Sequence, residues 1–227
     1  MDDQRLEKIT GQLVDIVAAA GSVILEVYET NFDVQTKSDE SPLTVADLSA
    51  HKIIEAGLQE LTPDIPIISE ESEPPSYAVR SQWQRYWLVD PLDGTKEFVN
   101  RNGEFTVNIA LIEGDAPIFG VVGVPFQGKS YVGNARKGQA YLLHEGVRTD
   151  LKPQQRQADE ASLVVVASRN HGGDRLEAYL SELGNRFSDC TRTPVGSSLK
   201  LCVLLGRLIY PQFLEQYSLQ KRLDLVG

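Results

Sequence analysis

Cysteine is scarce in this chain of 227 residues, and positive charge is in deficit. The two cysteines, Cys190 and Cys202, form neither a CxxC pair nor a metal-type spacing, which favours a reduced, cytoplasmic setting. Lysine and arginine number 22 against 32 acidic residues, so the net charge of −10 argues against nucleic acid as a partner. An acidic protein can still bind a small anion when a metal ion supplies the positive charge.

Long apolar runs and a secretion signal are also lacking. No apolar run approaches the ~20 residues that span a bilayer, and the acidic start "MDDQRLEK" has no basic region followed by an apolar core. The sequence therefore predicts a cytoplasmic protein without a transmembrane segment, and leaves peripheral attachment at the inner face of the cell membrane open. The hydrophobic content of 41% and the charged content of 24% are ordinary for a globular protein.

The order of patterns along the chain predicts helices first, strands in the middle, and alternating strands and helices at the end. Apolar residues from Leu6 to Tyr28 recur at helical spacing, and Thr44 with Asp47 predicts the start of a second helix running to about Leu61. Loops are predicted at 36–44 and 73–82, and a loop or a lobe boundary at 147–160. Strands are predicted at 65–68, 86–89, 105–114, 117–125, 129–134, 138–143 and 162–168, and helices at 174–183 and 197–206. This order favours a layered α/β fold with lobes at 1–150 and 151–227.

Two of the predicted strands lead directly into acidic residues. The first is followed by Glu70 and Glu71, and the second by Asp90 and Asp93. If the strands are neighbours, these carboxylates converge beyond the strand ends, where layered α/β proteins bind ligands. Carboxylates at such short distances repel one another unless a cation lies between them. Because no histidine or cysteine is nearby, the oxygen donors indicate Mg²⁺, or Mn²⁺ in its place, rather than zinc.

The residues after the aspartates predict a phosphate site. Gly94 lets the backbone approach a ligand, and Thr95 opens a helix whose first N–H groups would point at a bound anion. Two metal ions ~3.5–4 Å apart would activate a water and stabilise the leaving oxygen of a phosphate ester. Direct attack by water is favoured, because no serine or cysteine lies in a nucleophile context. Taken singly, these residues also fit a turn and a helix cap; the joint pattern favours the site.

The string "DPLDGT" at 90–95 matches the D-P-[IL]-D-G-T signature of the inositol monophosphatase-like, lithium-sensitive phosphatases. The longer string "VDPLDGTKEFVNRNGEFTVNIALI" resembles the CysQ-type 3'(2'),5'-bisphosphate nucleotidases of that family. "KSDESPLTVAD", "PIISEES", "ASRNH" and "GSSLKLC" lie in the order that the family shows, from about Leu6 to Cys202. The resemblance implies a layered αβαβα sandwich, two or three Mg²⁺ ions as cofactors, and removal of the 3'-phosphate from adenosine 3',5'-bisphosphate to give AMP.

The resemblance also implies roles for individual residues of the larger lobe. The metal ligands would all be oxygen donors: Glu70, Asp90, Asp93 and the backbone carbonyl of Leu92. Thr95 and Asp47 would orient the attacking water, Glu70 would be the third catalytic residue, and Glu71 would lie behind the ligands. The substrate would contact the same region, at Glu70, Leu92, Asp93, Gly94 and Thr95.

The smaller lobe would supply the nucleotide contacts. In "ASRNH", where the family more often has S-R-S-H, Ser168 and His171 would lie near the nucleotide. Ser198 and Lys200 in "GSSLK" would contact the ribose and the 5'-phosphate. A lone histidine is more often structural, and Ser198 with Lys200 fits a helix cap and a surface lysine equally well.

The resemblance fails toward the end of the chain, beyond about Cys202. The family continues through a "YPRF"-like strand to a W-D-[TS]-A-A helix start, whose aspartate completes the second metal site. Here the chain reads "YPQFLEQYSLQKRLDLVG", with Gln212 in place of the arginine and Asp224 outside the expected position. The sequence therefore predicts a smaller lobe without the last strand and helix, and a weakened second Mg²⁺ site.

The leading hypothesis is therefore a Mg²⁺-dependent bisphosphate nucleotidase acting on a small nucleotide. An inositol-phosphate or sugar-phosphate phosphatase with the same metal residues is the nearest alternative. A catalytically impaired remnant that binds metal or nucleotide without turnover is the alternative from another class. Both a monomer and a homodimer fit the sequence.

Overall fold

A computed structural model of the chain describes residues 1–36, 42–152, 162–168, 173–187 and 189–207. The chain divides into two compact units, Met1–Asp150 and Leu151–Gly227. Of the residues singled out in the sequence, His171, Gln212 and Asp224 lie outside the described ranges. The roles predicted for the two lobes remain predictions.

Two helices open the first unit and confirm the helical patterns seen in the sequence. Helix α1 spans Asp3–Tyr28, and Asp2 caps it by accepting a hydrogen bond from the backbone N–H of Arg5 at 2.7 Å. Strands β1 (Val34–Thr36) and β2 (Pro42–Thr44) then form a small antiparallel pair, so the predicted loop at 36–44 is partly strand. Helix α2 spans Val45–Leu61 and begins with the expected capping box of Thr44 and Asp47.

Helix α1 meets the length and composition of a membrane-spanning helix, with a mean hydropathy of 1.5 over its most apolar 18 residues. The expected absence of a transmembrane segment stays a prediction. In the structure, α1 packs against α2, and Leu6, Leu13 and Ile24 on its apolar face are fully buried. The helix therefore contributes to the core of the first unit.

A seven-stranded sheet follows, with its strands in sequence order from edge to edge. Its strands are β3 (Ile67–Ser69), β4 (Arg85–Asp93), β5 (Thr106–Glu113), β6 (Ala116–Val124), β7 (Lys129–Asn134), β8 (Gln139–His144) and β9 (Val147–Leu151). Strands β3 and β4 pair in parallel, whereas the pairs from β4 to β8 are antiparallel. The 129–134 and 138–143 hairpin is thus confirmed, whereas the loop predicted at 147–160 is wrong over β9.

The alternation along the central strands separates a core face from the face that carries the acidic residues. Val89, Ile109 and Val121 lie opposite one another on β4, β5 and β6 and join the core with α1 and α2. Because side chains alternate along a strand, Leu88 and Asp90 point to the other face. Leu88 is 45% exposed there.

Strand β4 does not end at Val89, as the sequence suggested, but continues through both aspartates to Asp93. Its register against β5 shifts between Asp90 and Asp93, the segment that contains Pro91.

A short helix, α3 (Tyr77–Arg80), interrupts the predicted loop at 73–82, and the predicted strand at 65–68 is found slightly later in the chain, as β3. Helix α4 (Thr95–Val99) follows directly after the aspartates, as predicted.

The second unit contains a parallel pair of strands, β10 (Ser162–Ala167) and β11 (Asp189–Pro194). Helix α5 (Gly173–Arg186) lies between them in the chain, and helix α6 (Leu199–Arg207) follows β11. The sequence predicted both helices and β10 but not β11. Because the strands are parallel, the residues that follow each of them lie at the same end of this small sheet.

Candidate active site

Glu70 and Asp90 are neighbours because β3 and β4 run side by side in the same direction. Ser69 lies opposite Val89, and the N–H of Glu70 donates a hydrogen bond to the carbonyl of Val89 at 3.0 Å. The carboxyl ends of the two strands therefore meet, as the sequence predicted. Glu70 and Asp90 each lie one residue beyond that matched pair.

The carboxyl of Asp90 has the most perturbed electrostatic environment in this cluster. Burial is the main cause that raises its pKa from 3.8 to about 8, and the negative charges of Asp93 and then Glu70 contribute to the same rise. Its Oδ1 atom is buried and accepts no hydrogen bond from any described residue. A buried, unpartnered carboxylate oxygen beside two other acids is what a cation would stabilise.

These residues fit a hard divalent cation in their chemistry. Glu70, Asp90, Asp93 and the carbonyl of Leu92 are all oxygen donors, which Mg²⁺ prefers. Within the described ranges, however, no three acidic, histidine or cysteine side chains are gathered as they would be around a bound ion. The buried Oδ1 atom of Asp90 and the repulsion that Asp93 and Glu70 exert on its charge nevertheless favour a cation at this point.

Strand β5 supplies two side chains that orient Asp93, and sequence reasoning did not identify them. Thr106 lies opposite Asp93 in the sheet, and Asn108 lies opposite Asp90. The hydroxyl of Thr106 and the amide of Asn108 both lie 3.5 Å from Oδ2 of Asp93, at the long limit of a hydrogen bond. The alternation of "FTVN" places both residues on one face, but only the register shows that this face carries the acids.

Asp47 is both a helix-capping residue and a neighbour of Thr95. Its Oδ2 accepts hydrogen bonds from the backbone N–H and the hydroxyl of Thr44, at 2.8 and 2.7 Å. Its Oδ1 lies 3.3 Å from the hydroxyl of Thr95, which also lies 3.2 Å from the carbonyl of Leu92. The side chain of Asp47 is almost completely buried. The capping interpretation and the catalytic one are therefore compatible, because they use different oxygens.

Gly94 joins the aspartates to α4 in a left-handed conformation, with φ of 91° and ψ of 40°. Residues other than glycine rarely adopt this backbone conformation, and the lack of a Cβ lets the backbone come close to a ligand. Helix α4 has only five residues, so its dipole is small. The individual N–H groups of Gly94 and Thr95, rather than the helix as a whole, are the available phosphate donors.

A cleft of about 580 Å³ adjoins the acidic cluster on the face of the sheet that Leu88 occupies. Glu70 and Asp90 line it together with apolar strand residues, and Arg80 of α3 adds a positive charge to its wall. The cleft gives a ligand room beside the acids. Its walls combine apolar surface with groups of both signs.

The described residues of the predicted nucleotide site share one end of the small parallel sheet. Ser168 follows β10, and Ser198 and Lys200 follow β11. The hydroxyl of Ser197 accepts from the N–H of Leu199, the first residue of α6, at 3.1 Å, and the capping role considered for Ser198 stays a prediction. The ammonium of Lys200 is bonded to the carbonyl of Ser197. The contact of these residues with a nucleotide stays a prediction.

Comparison with known sequences places these features in a family. The profile of the inositol monophosphatase family matches residues 5–216. The chain is 47% identical over 206 residues to the 3'(2'),5'-bisphosphate nucleotidase CysQ of Escherichia coli O6:H1, covering 89% of this chain and 79% of the relative. It is 38% identical over 213 residues to the protein of the same name from Buchnera aphidicola, covering 91% and 76%.

Comparison with solved structures shows the same relationship in the fold. CysQ from Bacteroides thetaiotaomicron matches with a TM-score of 0.71 and 37% identity, covering 86% of this chain and 74% of that one. The extragenic suppressor protein suhB from Bartonella henselae matches with a TM-score of 0.69 and 25% identity, covering 87% and 74%. The layered α/β fold predicted from the sequence is thereby confirmed.

Proposed function

The chain belongs to the inositol monophosphatase family, and from this premise we propose that it is a Mg²⁺-dependent 3'(2'),5'-bisphosphate nucleotidase. Its reaction would convert adenosine 3',5'-bisphosphate and water to AMP and phosphate. The observation that carries the proposal is the carboxyl of Asp90, whose buried oxygen has no partner among the described residues and which lies beside Asp93 and Glu70. The relatives named as bisphosphate nucleotidases support the choice of substrate.

The acidic cluster would hold the metal. Glu70, Asp90, Asp93 and the carbonyl of Leu92 would be its ligands, with Thr106 and Asn108 orienting Asp93 from β5. Mg²⁺ bound there would lower the pKa of a water and offset the charge that develops on the phosphate. The proposal includes the two or three Mg²⁺ ions that the family resemblance implies.

Thr95 and Asp47 would position the attacking water. The hydroxyl of Thr95 can donate its hydrogen to Oδ1 of Asp47, 3.3 Å away. The lone pairs of the Thr95 hydroxyl oxygen then remain available to accept a hydrogen from water. The carboxylate of Asp47 is held by Thr44 on its other oxygen, so the pair is pre-oriented. Orientation of this kind lowers the barrier because the water does not have to find its position during the reaction.

The phosphate would contact backbone N–H groups and the nucleotide would contact the second unit. The left-handed Gly94 permits a close approach of the backbone, and the N–H groups of Gly94 and Thr95 would donate to phosphate oxygens. Ser168, His171, Ser198 and Lys200 are the proposed nucleotide contacts. Lithium inhibition, which the family resemblance implies, and a cytoplasmic location belong to the same proposal.

Release of phosphate from two substrates tests the proposal. Adenosine 3',5'-bisphosphate and inositol 1-phosphate are offered side by side at saturating Mg²⁺, and we expect a higher kcat/KM for the nucleotide. A clear preference for the inositol ester would instead identify an inositol phosphatase. Binding of the nucleotide with Mg²⁺ in a calorimeter, without formation of AMP, would support the alternative of a chain that binds without turnover.

A further inference from the structure

His51 lies on the same face of α2 as Asp47, one helical turn later. While Asp47 faces Thr95, Nδ1 of His51 lies 2.9 Å from the hydroxyl of Ser69. Ser69 is the last residue of β3 and immediately precedes Glu70. The hydroxyl contact is shielded from water, because the His51 side chain is only 12% exposed and Ser69 is buried. One helix face therefore contacts both sides of the candidate site.

The surrounding groups favour one direction for the hydrogen bond between His51 and Ser69. The carboxylate of Glu55 lies 3.7 Å from Nε2 of His51, which favours a proton on Nε2 and leaves Nδ1 as an acceptor. The hydroxyl of Ser69 then donates to Nδ1, and its oxygen accepts from the N–H of Glu71 at 3.4 Å. The N–H and O–H of Ser72 donate to the carbonyl of Ser69, at 3.3 and 3.2 Å.

The acidic turn is thus tied to α2 through a buried hydroxyl, that of Ser69. Glu70 itself is anchored on the other side by its N–H bond to Val89. Without His51, the hydroxyl of Ser69 would lose its acceptor, and the turn would lose this hydrogen bond to α2. The direction of the Glu70 side chain depends on the conformation of this turn.

We propose that His51 is a positioning residue for the metal site, acting through Ser69 on the turn that presents Glu70. Asp47 holds Thr95 from the same helix face, so α2 sets the separation between a metal ligand and the hydroxyl that orients water. His51 does not touch substrate or metal in this role. The inference rests on the proposed function, because it assumes that Glu70 is a metal ligand.

Two substitutions with opposite consequences test this role. His51→Leu keeps an apolar side chain of similar volume but removes the acceptor. His51→Asn is smaller, yet its amide oxygen can stand where Nδ1 stood and accept from Ser69. If His51 positions the turn, Asn restores most of what Leu loses. If His51 only fills space, the leucine variant resembles the wild type and the asparagine variant is the impaired one.

The measurement is Mg²⁺ affinity by calorimetry on substrate-free protein, with kcat as a second readout. We expect His51→Leu to weaken Mg²⁺ binding about 10-fold, the lower end of the effect typical for groups that support metal ligands. His144→Leu makes the same change at a histidine in β8 and controls for the loss of an imidazole. It should leave the Mg²⁺ affinity unchanged. Equal Mg²⁺ affinity in wild type and His51→Leu would overturn the inference.

Ser69→Ala provides an independent arm that does not depend on the folding of the His51 variants. It removes the same hydrogen bond with a minimal change in volume, and we expect a similar loss of Mg²⁺ affinity. Because the two residues act as one unit, the double variant should lose little more than either single variant. Unchanged binding in Ser69→Ala would contradict the inference. Absence of Mg²⁺ binding in the wild type would instead overturn the proposed function, and this inference with it.

Discussion

The hydroxyl of Thr95 lies 3.3 Å from Oδ1 of Asp47, although 48 residues separate the two in the sequence. The contact joins the start of α2 to the start of α4, the two helices that flank the acidic cluster. Because Asp47 is also bound by Thr44, the carboxylate cannot rotate freely between partners. Two residues that look like independent helix caps in the sequence form one unit in the structure.

This pairing predicts strong coupling between Asp47 and Thr95 in catalysis. We expect Asp47→Asn and Thr95→Val each to lower kcat by at least about 100-fold, the usual lower range for a group that handles the reacting proton. The double variant should be only slightly worse than either single one, because each change already breaks the unit. Independent, multiplicative losses would show that the two residues do not act together.

Asp93→Asn should abolish phosphatase activity while leaving the protein folded. The change keeps the shape of the side chain but removes a charge from the proposed metal site, and we expect kcat to fall by more than about 100-fold. The metal-free fold should not suffer, because one source of carboxylate repulsion disappears. Asp150→Asn, an exposed aspartate paired with Arg148, is the matched control and should behave like the wild type. Wild-type turnover of Asp93→Asn would mean that Asp93 is only a turn residue.

The stability of the metal-free protein should fall as pH rises. The folded protein holds the pKa of Asp90 at about 8, above the ordinary value of 3.8, chiefly by burial. Between these values the folded state binds a proton that the unfolded state has lost, so the contribution of Asp90 is fully favourable below pH ~4 and is lost as pH rises through about 8. Each pKa unit of difference between the folded and unfolded states changes the free energy of unfolding by about 1.4 kcal/mol, so even a fraction of the full effect is measurable.

Thermal unfolding in EDTA between pH 5 and pH 8.5 measures this effect. We expect Asp90→Asn to raise Tm most at the alkaline end and much less at pH 5, because asparagine stays neutral throughout. Mg²⁺ should stabilise the wild type most at the alkaline end and should stabilise Asp90→Asn much less. Parallel Tm curves for the two proteins in EDTA would contradict the assignment of a raised pKa to Asp90.

Gly94→Ala should affect both stability and activity. The left-handed backbone costs about 1–2 kcal/mol for a residue with a Cβ, and the same Cβ would obstruct the approach of a phosphate. Gly114→Ala is a matched control, because Gly114 also has a positive φ, of 63°, and its added Cβ would meet nothing within 4 Å. Both variants should lose similar stability in urea, but only Gly94→Ala should raise KM and lower kcat. Normal kinetics in Gly94→Ala would argue against a phosphate beside this residue.

Local patterns in the sequence were sufficient to predict most of the fold. The helical spacing gave α1, and the Thr44–Asp47 capping box gave the first residue of α2. The prediction failed where polar or irregular sequence is held in a strand by its neighbours. Strand β11 is polar and largely exposed, and β4 continues past Pro91 because β5 still pairs with Asp93.

In the candidate site, too, some residues could be predicted from local sequence and others could not. The acids could be predicted because strand ends lead into them and the signature string is specific. His51, Thr106 and Asn108 could not, because their contacts depend on a helix face and a strand register that no local pattern specifies. Whether the tail supplies a further metal ligand is a question about residues 208–227, which lie outside the described ranges.

Strand β3 has only three residues and lies at the edge of the seven-stranded sheet, with β4 as its single neighbour in the described part of the chain. An edge segment this short can open locally while the rest of the sheet remains intact. Glu70 thus follows a short edge strand, whereas Asp90 lies in an interior one. Metal binding would then join a weakly held edge to a rigid interior, so amide hydrogen exchange at residues 67–71 should slow on addition of Mg²⁺ more than exchange in β5 or β6.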